Sequence, residues 1–171
     1  DATYNSLVQV DSDTYALAYT GTNTDGFIST FTIDSTGDIL TNAAIQTLEY
    51  ETNYAIYNSL VQVDSDTYAL AYTDIDGDGF ISTFTISTDG STITKIMTLE
   101  HDTADAIYNS LVKVDSDTYA LAYTGTNGDG FISTFTIPAN GSGIQKVEKI
   151  KHDTDATYNS LVQVDSDTYA L

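Results

Sequence analysis

Three aspartates at alternate positions form the most recognisable chemical pattern in the sequence. Residues 74–79 read Asp-Ile-Asp-Gly-Asp-Gly, with carboxylates at Asp74, Asp76 and Asp78. Alternating carboxylates followed by glycine let a loop curl so that several hard oxygens face one centre, which suits Ca²⁺ better than a transition metal. The simplest interpretation is a glycine-rich hairpin turn with solvated carboxylates. The alternative that the spacing predicts is a calcium site at these three aspartates.

A histidine and an aspartate occupy equivalent positions in the second and third repeats, as His101-Asp102 and His152-Asp153. The first repeat has Tyr50-Glu51 at this position. Two imidazoles on adjacent units can sense pH or bind a metal. Since the first repeat has Tyr50 there and no third histidine exists, we do not expect a zinc site. The residues expected on a ligand-binding face are Asp25, Asp129, His101, Asp102, His152 and Asp153.

In each of the four copies of the repeat, one tyrosine opens the first strand, beside the acidic loops. These residues are Tyr4, Tyr57, Tyr108 and Tyr158. Their favoured role is to anchor the start of the strand. As the alternative, aromatic rings flanked by Asp and Asn can stack on sugar rings.

No catalytic group is singled out by its sequence context. A Gly-x-Ser-x-Gly turn does not occur, the serines lie within strands, and nothing selects two of the 25 acidic residues as a pair for glycoside hydrolysis. A catalytic site needs one asymmetric constellation, whereas near-identical units multiply one surface. We therefore expect that the chain is not an enzyme.

These residues are carried by a tandem repeat. The phrase Tyr-Asn-Ser-Leu-Val-x-Val-Asp-Ser-Asp-Thr-Tyr-Ala-Leu begins at residues 4, 57, 108 and 158, and Gly-Phe-Ile-Ser-Thr-Phe-Thr-Ile recurs at residues 26, 79 and 130. The repeat divides the chain into units 1–53, 54–104 and 105–154, followed by 155–171 as the start of a fourth. We expect the chain to be a window from a longer array.

Each unit is predicted to contain four antiparallel strands, so the fold class is all-β. Alternation places Tyr15, Leu17 and Tyr19 on one face of the second strand and Ala16 and Ala18 on the other. The flat alanine face can accept the bulky face of the next sheet. The polar fourth strand fits an outer edge that discourages unwanted pairing.

Four strands in about 50 residues is the size of a propeller blade. The pattern resembles β-propellers of the kelch, lactonase-like and integrin-type group, although the kelch double glycine is absent. Segment 74–79 is similar to integrin-type calcium loops and to the start of EF-hand loops, but Ser82 and Thr85 stand where those loops carry acidic ligands. The alternatives are an open blade array or a solenoid, because three units do not close a ring of 4 to 8 blades.

Composition excludes several partners. The chain has 171 residues, five lysines, no arginine and a net charge of -20, so it has no positive surface for nucleic acid. No apolar run reaches the roughly 20 residues of a membrane-spanning helix. The expected partners are other copies of the same repeat, within or between chains, and glycans.

The sequence favours a non-enzymatic structural or adhesive module of a larger secreted or cell-surface protein, since repetition gives length or multivalent binding. The second hypothesis is a calcium-dependent carbohydrate-binding propeller acting through the loops between strands 2 and 3 and between units. Calcium is the only cofactor that we expect, and only the second hypothesis requires it.

Overall fold

The computed structural model describes residues 2–40 and 43–171, which form antiparallel β-sheets. Blade 1 contains β1 (Thr3–Gln9), β2 (Thr14–Thr20), β3 (Gly26–Thr32) and β4 (Gln46–Glu51). Blade 2 contains β5 (Ile56–Gln62), β6 (Thr67–Thr73), β7 (Gly79–Ile86) and β8 (Ile93–Asp102). Blade 3 contains β9 (Ile107–Lys113), β10 (Thr118–Thr124), β11 (Gly130–Thr136) and β12 (Gln145–Asp153). Residues 155–171, the tail segment, form only β13 (Val162–Gln163) and β14 (Tyr169–Ala170).

Each blade is a simple meander in which consecutive strands pair side by side. The repeated Asp-Ser-Asp-Thr segment makes the first hairpin turn. In blade 1, Asp11 Oδ1 accepts the Ser12 N–H at 2.8 Å and the Val10 N–H donates to the Thr14 carbonyl at 2.7 Å. These aspartates act as local turn formers. Single 3₁₀ turns, Thr22–Thr24 and Thr126–Gly128, lie between the second and third strands of blades 1 and 3.

The core lies between blades, where an alanine face meets a bulky face. Large side chains of blade 2 pack against Ala16, Ala18 and Ile28 of blade 1. An equivalent contact joins blades 2 and 3. The bulky face of blade 2 includes Tyr68, Leu70, Tyr72 and Phe84, all almost completely buried. The predicted distribution of large and small side chains is confirmed. Burying a large apolar side chain stabilises the fold by about 1.5–3 kcal/mol, so these contacts stabilise the packing of each blade on the next.

Hydrogen bonds hold the first strands of neighbouring blades side by side. Each pairs a leucine N–H with the hydroxyl of a serine one blade earlier, at 2.9 Å in every case: Leu60 with Ser6, Leu111 with Ser59, and Leu161 with Ser110. Each blade thus presents an acceptor to the next and a donor to the previous one.

The outer strands are linked by lysines. Lys95 Nζ of β8 donates to the Tyr50 carbonyl of β4 at 3.2 Å, and Lys146 Nζ of β12 donates to the His101 carbonyl of β8 at 2.8 Å. The charged outer strand therefore binds the preceding blade, besides marking the sheet edge. The fold class is all-β, as predicted. Among the described residues, no helix has the length and apolar character needed to cross a membrane.

Candidate functional site

The four repeated tyrosines form a continuous aromatic column along the starts of the first strands. The ring centroids of Tyr4 and Tyr57 are 4.6 Å apart, those of Tyr57 and Tyr108 4.5 Å, and those of Tyr108 and Tyr158 4.2 Å. The rings are tilted by 40–64° to one another. With the asparagines that follow them, they line an open pocket of about 270 Å³. The lining residues are Tyr4, Asn5, Tyr57, Asn58, Tyr108, Asn109, Tyr158 and Asn159.

A β-bulge places the tyrosines of blades 1, 2 and 3 in the column. In blade 1, Thr3 pairs with Thr20 and Ser6 with Ala18, so Tyr4 and Asn5 together face the single residue Tyr19. The same shift occurs in blades 2 and 3. Bulges redirect side chains and are found beside functional sites. Here the bulge brings the tyrosine and the asparagine to the same pocket.

The backbone of all four tyrosines is strained. Their φ angles are 52°, 55°, 57° and 58°, in the left-handed region that glycine favours. The corresponding position of the G1 type of bulge normally holds glycine. A bulky residue in this region costs roughly 1–3 kcal/mol. The sequence therefore keeps a tyrosine at a place where glycine would be conformationally easier.

The asparagines anchor the pocket to the previous blade. Asn58 Nδ2 donates to Thr20 Oγ1 at 3.2 Å, and Thr20 Oγ1 in turn donates to the Ala55 carbonyl. Asn109 and Asn159 donate to Thr73 and Thr124, both at 3.0 Å. The amides of these three asparagines are thus fixed by threonines of the preceding blade, and this arrangement holds the neighbouring tyrosines in register.

The phenol groups influence one another. Partial burial and hydrogen bonds with Tyr108 and Tyr4 raise the pKa of Tyr57 above its usual value. Hydrogen bonds from Tyr158 and Tyr57 lower the pKa of Tyr108.

Asp74, Asp76 and Asp78 lie in the loop between β6 and β7. Asp74 Oδ1 accepts the backbone N–H groups of Asp76 at 3.0 Å and Asp78 at 2.9 Å, so it shapes the turn. Slight burial and the charges of Asp74, Asp76, Asp102 and Asp105 raise the pKa of Asp78. Within residues 2–40 and 43–171, no group of three or more His, Asp or Glu is placed to hold a metal ion. Calcium binding by this loop remains a prediction.

The residues expected on a ligand-binding face occupy separate environments. Asp25 is buried, Asp129 forms an ion pair with Lys151 at 2.7 Å, and Asp153 is exposed. Asp102 accepts hydrogen bonds from Lys149 and Tyr123. Burial raises the pKa of Asp102, but these two bonds outweigh it and lower the pKa below its usual value. His152 is half-buried and, with Asp153, lines a second open pocket beside the tail segment that also includes Tyr158 and Asn159.

His101 lies between blades 2 and 3, where it is only 6% exposed. Its ring packs edge-on against Tyr123 and Phe135. Burial, reinforced by the Lys146 charge, lowers the pKa of His101 to about 3. Neither ring nitrogen has a hydrogen-bond partner among the described residues. His101 thus packs as a neutral aromatic ring.

The sequence analysis does not identify the asparagines of the pocket as site residues. A sequence pattern that could identify them exists, because Tyr-Asn occurs unchanged in all four copies. Each pair, however, lies about 50 residues from the next, so only the side-by-side packing of the first strands reveals a shared pocket. The sequence offers the tyrosines as candidates for stacking on sugars, and the structure brings them together.

Comparisons with known proteins identify the fold. No protein-family model and no curated protein matches the chain. Similar solved structures include a putative 6-phosphogluconolactonase from Bacteroides fragilis, with a TM-score of 0.65 and 17% identity over 86% of this chain and 39% of that one. The K499G mutant of NanB sialidase from Streptococcus pneumoniae has a TM-score of 0.65 and 12% identity over 91% of this chain and 25% of that one. A periplasmic gluconolactonase from Pseudomonas aeruginosa has a TM-score of 0.61 and 9% identity over 86% and 39%.

These structures are β-propellers, so the blade pattern and the likeness to lactonase propellers are supported, whereas the kelch and integrin-type likenesses are not. The chain spans less than half the length of each of them. At 9–17% sequence identity, the similarity to these structures shows a shared fold only.

The expectation that the chain is not an enzyme is contradicted, because similar structures are those of lactonases and a sialidase. That expectation took repetition of the blades as an argument against catalysis. A propeller framework is repetitive in enzymes as well, since a few side chains on its loops suffice to make a site asymmetric. Blade symmetry therefore does not decide whether the chain is catalytic.

Proposed function

We propose that this chain is a carbohydrate-binding β-propeller module and that the pocket lined by the Tyr-Asn pairs is its binding site. The observation that carries the proposal is the column of four tyrosines, with neighbouring rings 4.2–4.6 Å apart, along an open pocket. Aromatic faces stack on the C–H faces of sugar rings, and phenol hydroxyls hydrogen-bond to sugar hydroxyls.

Backbone strain supports a binding role for the tyrosines. Anchoring the strand start would not require a left-handed φ in four successive copies. Strain of this kind clusters at ligand sites, where the surrounding structure maintains it. In this proposal the ligand binds at the starts of the first strands, rather than at the loops between strands 2 and 3 and between blades.

Charge restricts the ligand to neutral sugars. The chain carries a net charge of -20 and no arginine, so a carboxylate or phosphate on the ligand would be repelled and would lack a bidentate partner. We therefore favour neutral hexose-containing glycans over sialylated or phosphorylated ones. A similar fold in a periplasmic gluconolactonase supports placing the module in a secreted or surface protein.

The test is a glycan screen followed by titration calorimetry of the best neutral ligand. Tyr108 lies between two other rings of the column, so Tyr108→Leu should weaken binding at least tenfold, which is about 1.4 kcal/mol. Tyr15→Leu is the matched control because Tyr15 lies on β2, outside the lining of the pocket. The same mixtures are followed for ligand turnover, since this fold also occurs in enzymes.

Equal affinity of wild type and Tyr108→Leu for every bound glycan would refute this site. So would a preference for sialylated over neutral glycans. Loss of binding in both Tyr108→Leu and Tyr15→Leu would point to unfolding, which circular dichroism of the two variants distinguishes.

A further inference from the structure

Two asparagine–glycine pairs occur in the chain, and both lie in turns of blade 3. Asn127-Gly128 lies between β10 and β11, and Asn140-Gly141 lies between β11 and β12. At the same two places blade 2 has aspartate–glycine pairs, Asp76-Gly77 and Asp89-Gly90. An asparagine before glycine can lose its side-chain amide, because glycine has no side chain to obstruct the backbone nitrogen that attacks. Both asparagines are exposed, so other features of their surroundings must distinguish them.

The reaction joins the asparagine side chain to the backbone of the next residue. The glycine nitrogen gives up its proton to solvent and attacks the asparagine Cγ, so a new N–C bond closes a five-membered imide. The Cγ–Nδ2 bond breaks, and the amide nitrogen takes up a proton from water and leaves as ammonia. Water then opens the imide at either carbonyl to give aspartate or isoaspartate. Ring closure therefore needs a side chain that is free to turn and a glycine that can move with it.

The Asn127-Gly128 pair meets both requirements. Within the part of the chain that the structure describes, no hydrogen bond holds the Asn127 side chain. The Gly128 N–H donates to the Gly125 carbonyl at 3.1 Å. A Cβ added to Gly128 would have only one neighbour within 4 Å, Asp155 Oδ1 at 3.8 Å. The side chain and the glycine can therefore move without displacing packed atoms.

The Asn140-Gly141 pair is held on both sides. Asn140 Oδ1 accepts the Ser142 N–H at 3.1 Å and the Ser142 hydroxyl at 2.8 Å. Gly141 is buried against blade 2, where an added Cβ would lie 2.8 Å from Ile96 Cδ1, and its N–H donates to the Pro138 carbonyl at 2.8 Å. Each glycine carbonyl accepts one hydrogen bond, so that contact does not distinguish the two pairs. Ring closure here must break the side-chain bonds and move the glycine out of an interface between blades.

The exposure of Asn127 is typical of its turn. The equivalent residues Asn23 and Asp76 are also exposed, and a complete blade follows each of them. The φ angle of Asn23 is 60°, close to the 64° of Asn127. Asn23 is followed by Thr24, whose branched side chain crowds the attacking nitrogen. Asn23 therefore provides a control within the chain, with the same turn but a hindered nucleophile.

We propose that Asn127 is a deamidation site of the folded protein and that the turn at Asn140 is protected from the same reaction. The aspartate product gives blade 3 the Asp-Gly-Asp-Gly run that blade 2 has at residues 76–79. It adds a negative charge close in sequence to Asp129, which pairs with Lys151 at 2.7 Å. Sugar binding has no part in the reaction, because Asn127 lies outside the lining of the tyrosine pocket.

Peptide mapping by tandem mass spectrometry follows the exchange of NH₂ for OH at each asparagine during incubation at mildly alkaline pH. Rates are measured in the folded protein and in urea. In urea, Asn127 and Asn140 should react at similar rates because each precedes glycine. In the folded protein, Asn140 should react more slowly than Asn127 by about tenfold or more, because its side-chain hydrogen bonds must first break. Asn23 should react slowly in both states because Thr24 hinders attack.

Matched substitutions identify the source of the acidic species that isoelectric focusing detects. Glutamine forms a six-membered imide and reacts more slowly than asparagine. Asn127→Gln should therefore remove most of the acidic species that the folded wild type accumulates, whereas Asn140→Gln should leave it unchanged. Ser142→Ala removes one of the bonds that hold Asn140, so it should speed the reaction there and leave Asn127 unaffected. Circular dichroism verifies the fold of each variant.

Equal rates at Asn127 and Asn140 in the folded protein would overturn this assignment. A folded protein in which neither asparagine reacts, while both react in urea, would do the same. Reaction at Asn127 no faster than at Asn23 would also contradict it, because the glycine would then give no advantage.

Discussion

The hydroxyl of Tyr50 donates a hydrogen bond to Asn58 Oδ1 at 2.5 Å, within the interface between blades 1 and 2. One unit later, His101 and Asn109 occupy the same two places. There the buried His101 nitrogens and Asn109 Oδ1 have no partner among the residues that the structure describes. A buried polar group without a partner costs about 1–3 kcal/mol. At these two positions the interface between blades 2 and 3 therefore lacks the hydrogen bond that the interface between blades 1 and 2 has.

His101→Tyr should reduce the loss of stability in acid. Above pH 6.5 the imidazole is neutral in the folded and unfolded chains, so its ionisation does not affect folding. Burial lowers its folded pKa to about 3, so between pH 6.5 and 3 the unfolded chain binds more protons and the free energy of unfolding falls as the pH falls. Urea unfolding at several pH values should show a shallower decline for His101→Tyr.

His101→Phe separates the two effects of that substitution. Both variants remove the titration, but only the tyrosine can donate to Asn109 as Tyr50 does to Asn58. At pH 7 we expect His101→Tyr to be more stable than His101→Phe by about 1 kcal/mol. The assignment of the acid effect to His101 fails if all three proteins decline in parallel.

Replacing Tyr108 by glycine should destabilise the fold less than replacing it by alanine. The φ of Tyr108 is 57°, where a residue with a Cβ is strained by roughly 1–2 kcal/mol. We expect Tyr108→Gly to be more stable than Tyr108→Ala by about 1 kcal/mol in urea unfolding.

Tyr15 is the control position, since its φ is not positive. There glycine should be less stable than alanine by about 0.5–1 kcal/mol. If the glycine and alanine variants had the same order of stability at both positions, backbone strain would not distinguish Tyr108 from Tyr15.

Gly79→Ala should destabilise the interface between blades. A Cβ on Gly79 would lie 2.5 Å from His101 Nε2 and 2.5 Å from the Cβ of Ala106. Overpacking of this kind costs about 1–3 kcal/mol. Gly143→Ala is the control, because its nearest neighbour would be Pro138 at 3.9 Å, and it should change stability by less than about 0.5 kcal/mol. Equal thermal stability of the two variants would contradict the close packing at Gly79.

Calcium should stabilise the fold modestly if Asp74, Asp76 and Asp78 bind it as their spacing predicts. With a Kd of about 1 mM, 10 mM calcium adds about 1.4 kcal/mol to the free energy of unfolding. The effect should disappear in Asp76→Asn combined with Asp78→Asn. Magnesium at the same concentration controls for ionic strength. An equal effect of calcium on wild type and variant would refute this site.

The fold could be predicted from the sequence because its determinants are local. Alternation in residues 15–19 set the two faces of a strand, and the repeated Asp-Ser-Asp-Thr set a turn. Periodicity of 2 and turn chemistry operate over a few residues, so a single unit contains them. The stacking of Tyr72 and Leu70 on Ala16 and Ala18 followed from the same alternation.

The candidate site was decided only by the tertiary structure. Tyr4 and Tyr57 are far apart in the chain, and their contact depends on a bulge and on hydrogen bonds between first strands. The burial of His101 depends likewise on Tyr123 and Phe135 of the next blade. The sequence by itself determined which residues share a face of a blade. The packing of one blade on the next decided which residues share a pocket, because those contacts join positions about 50 residues apart.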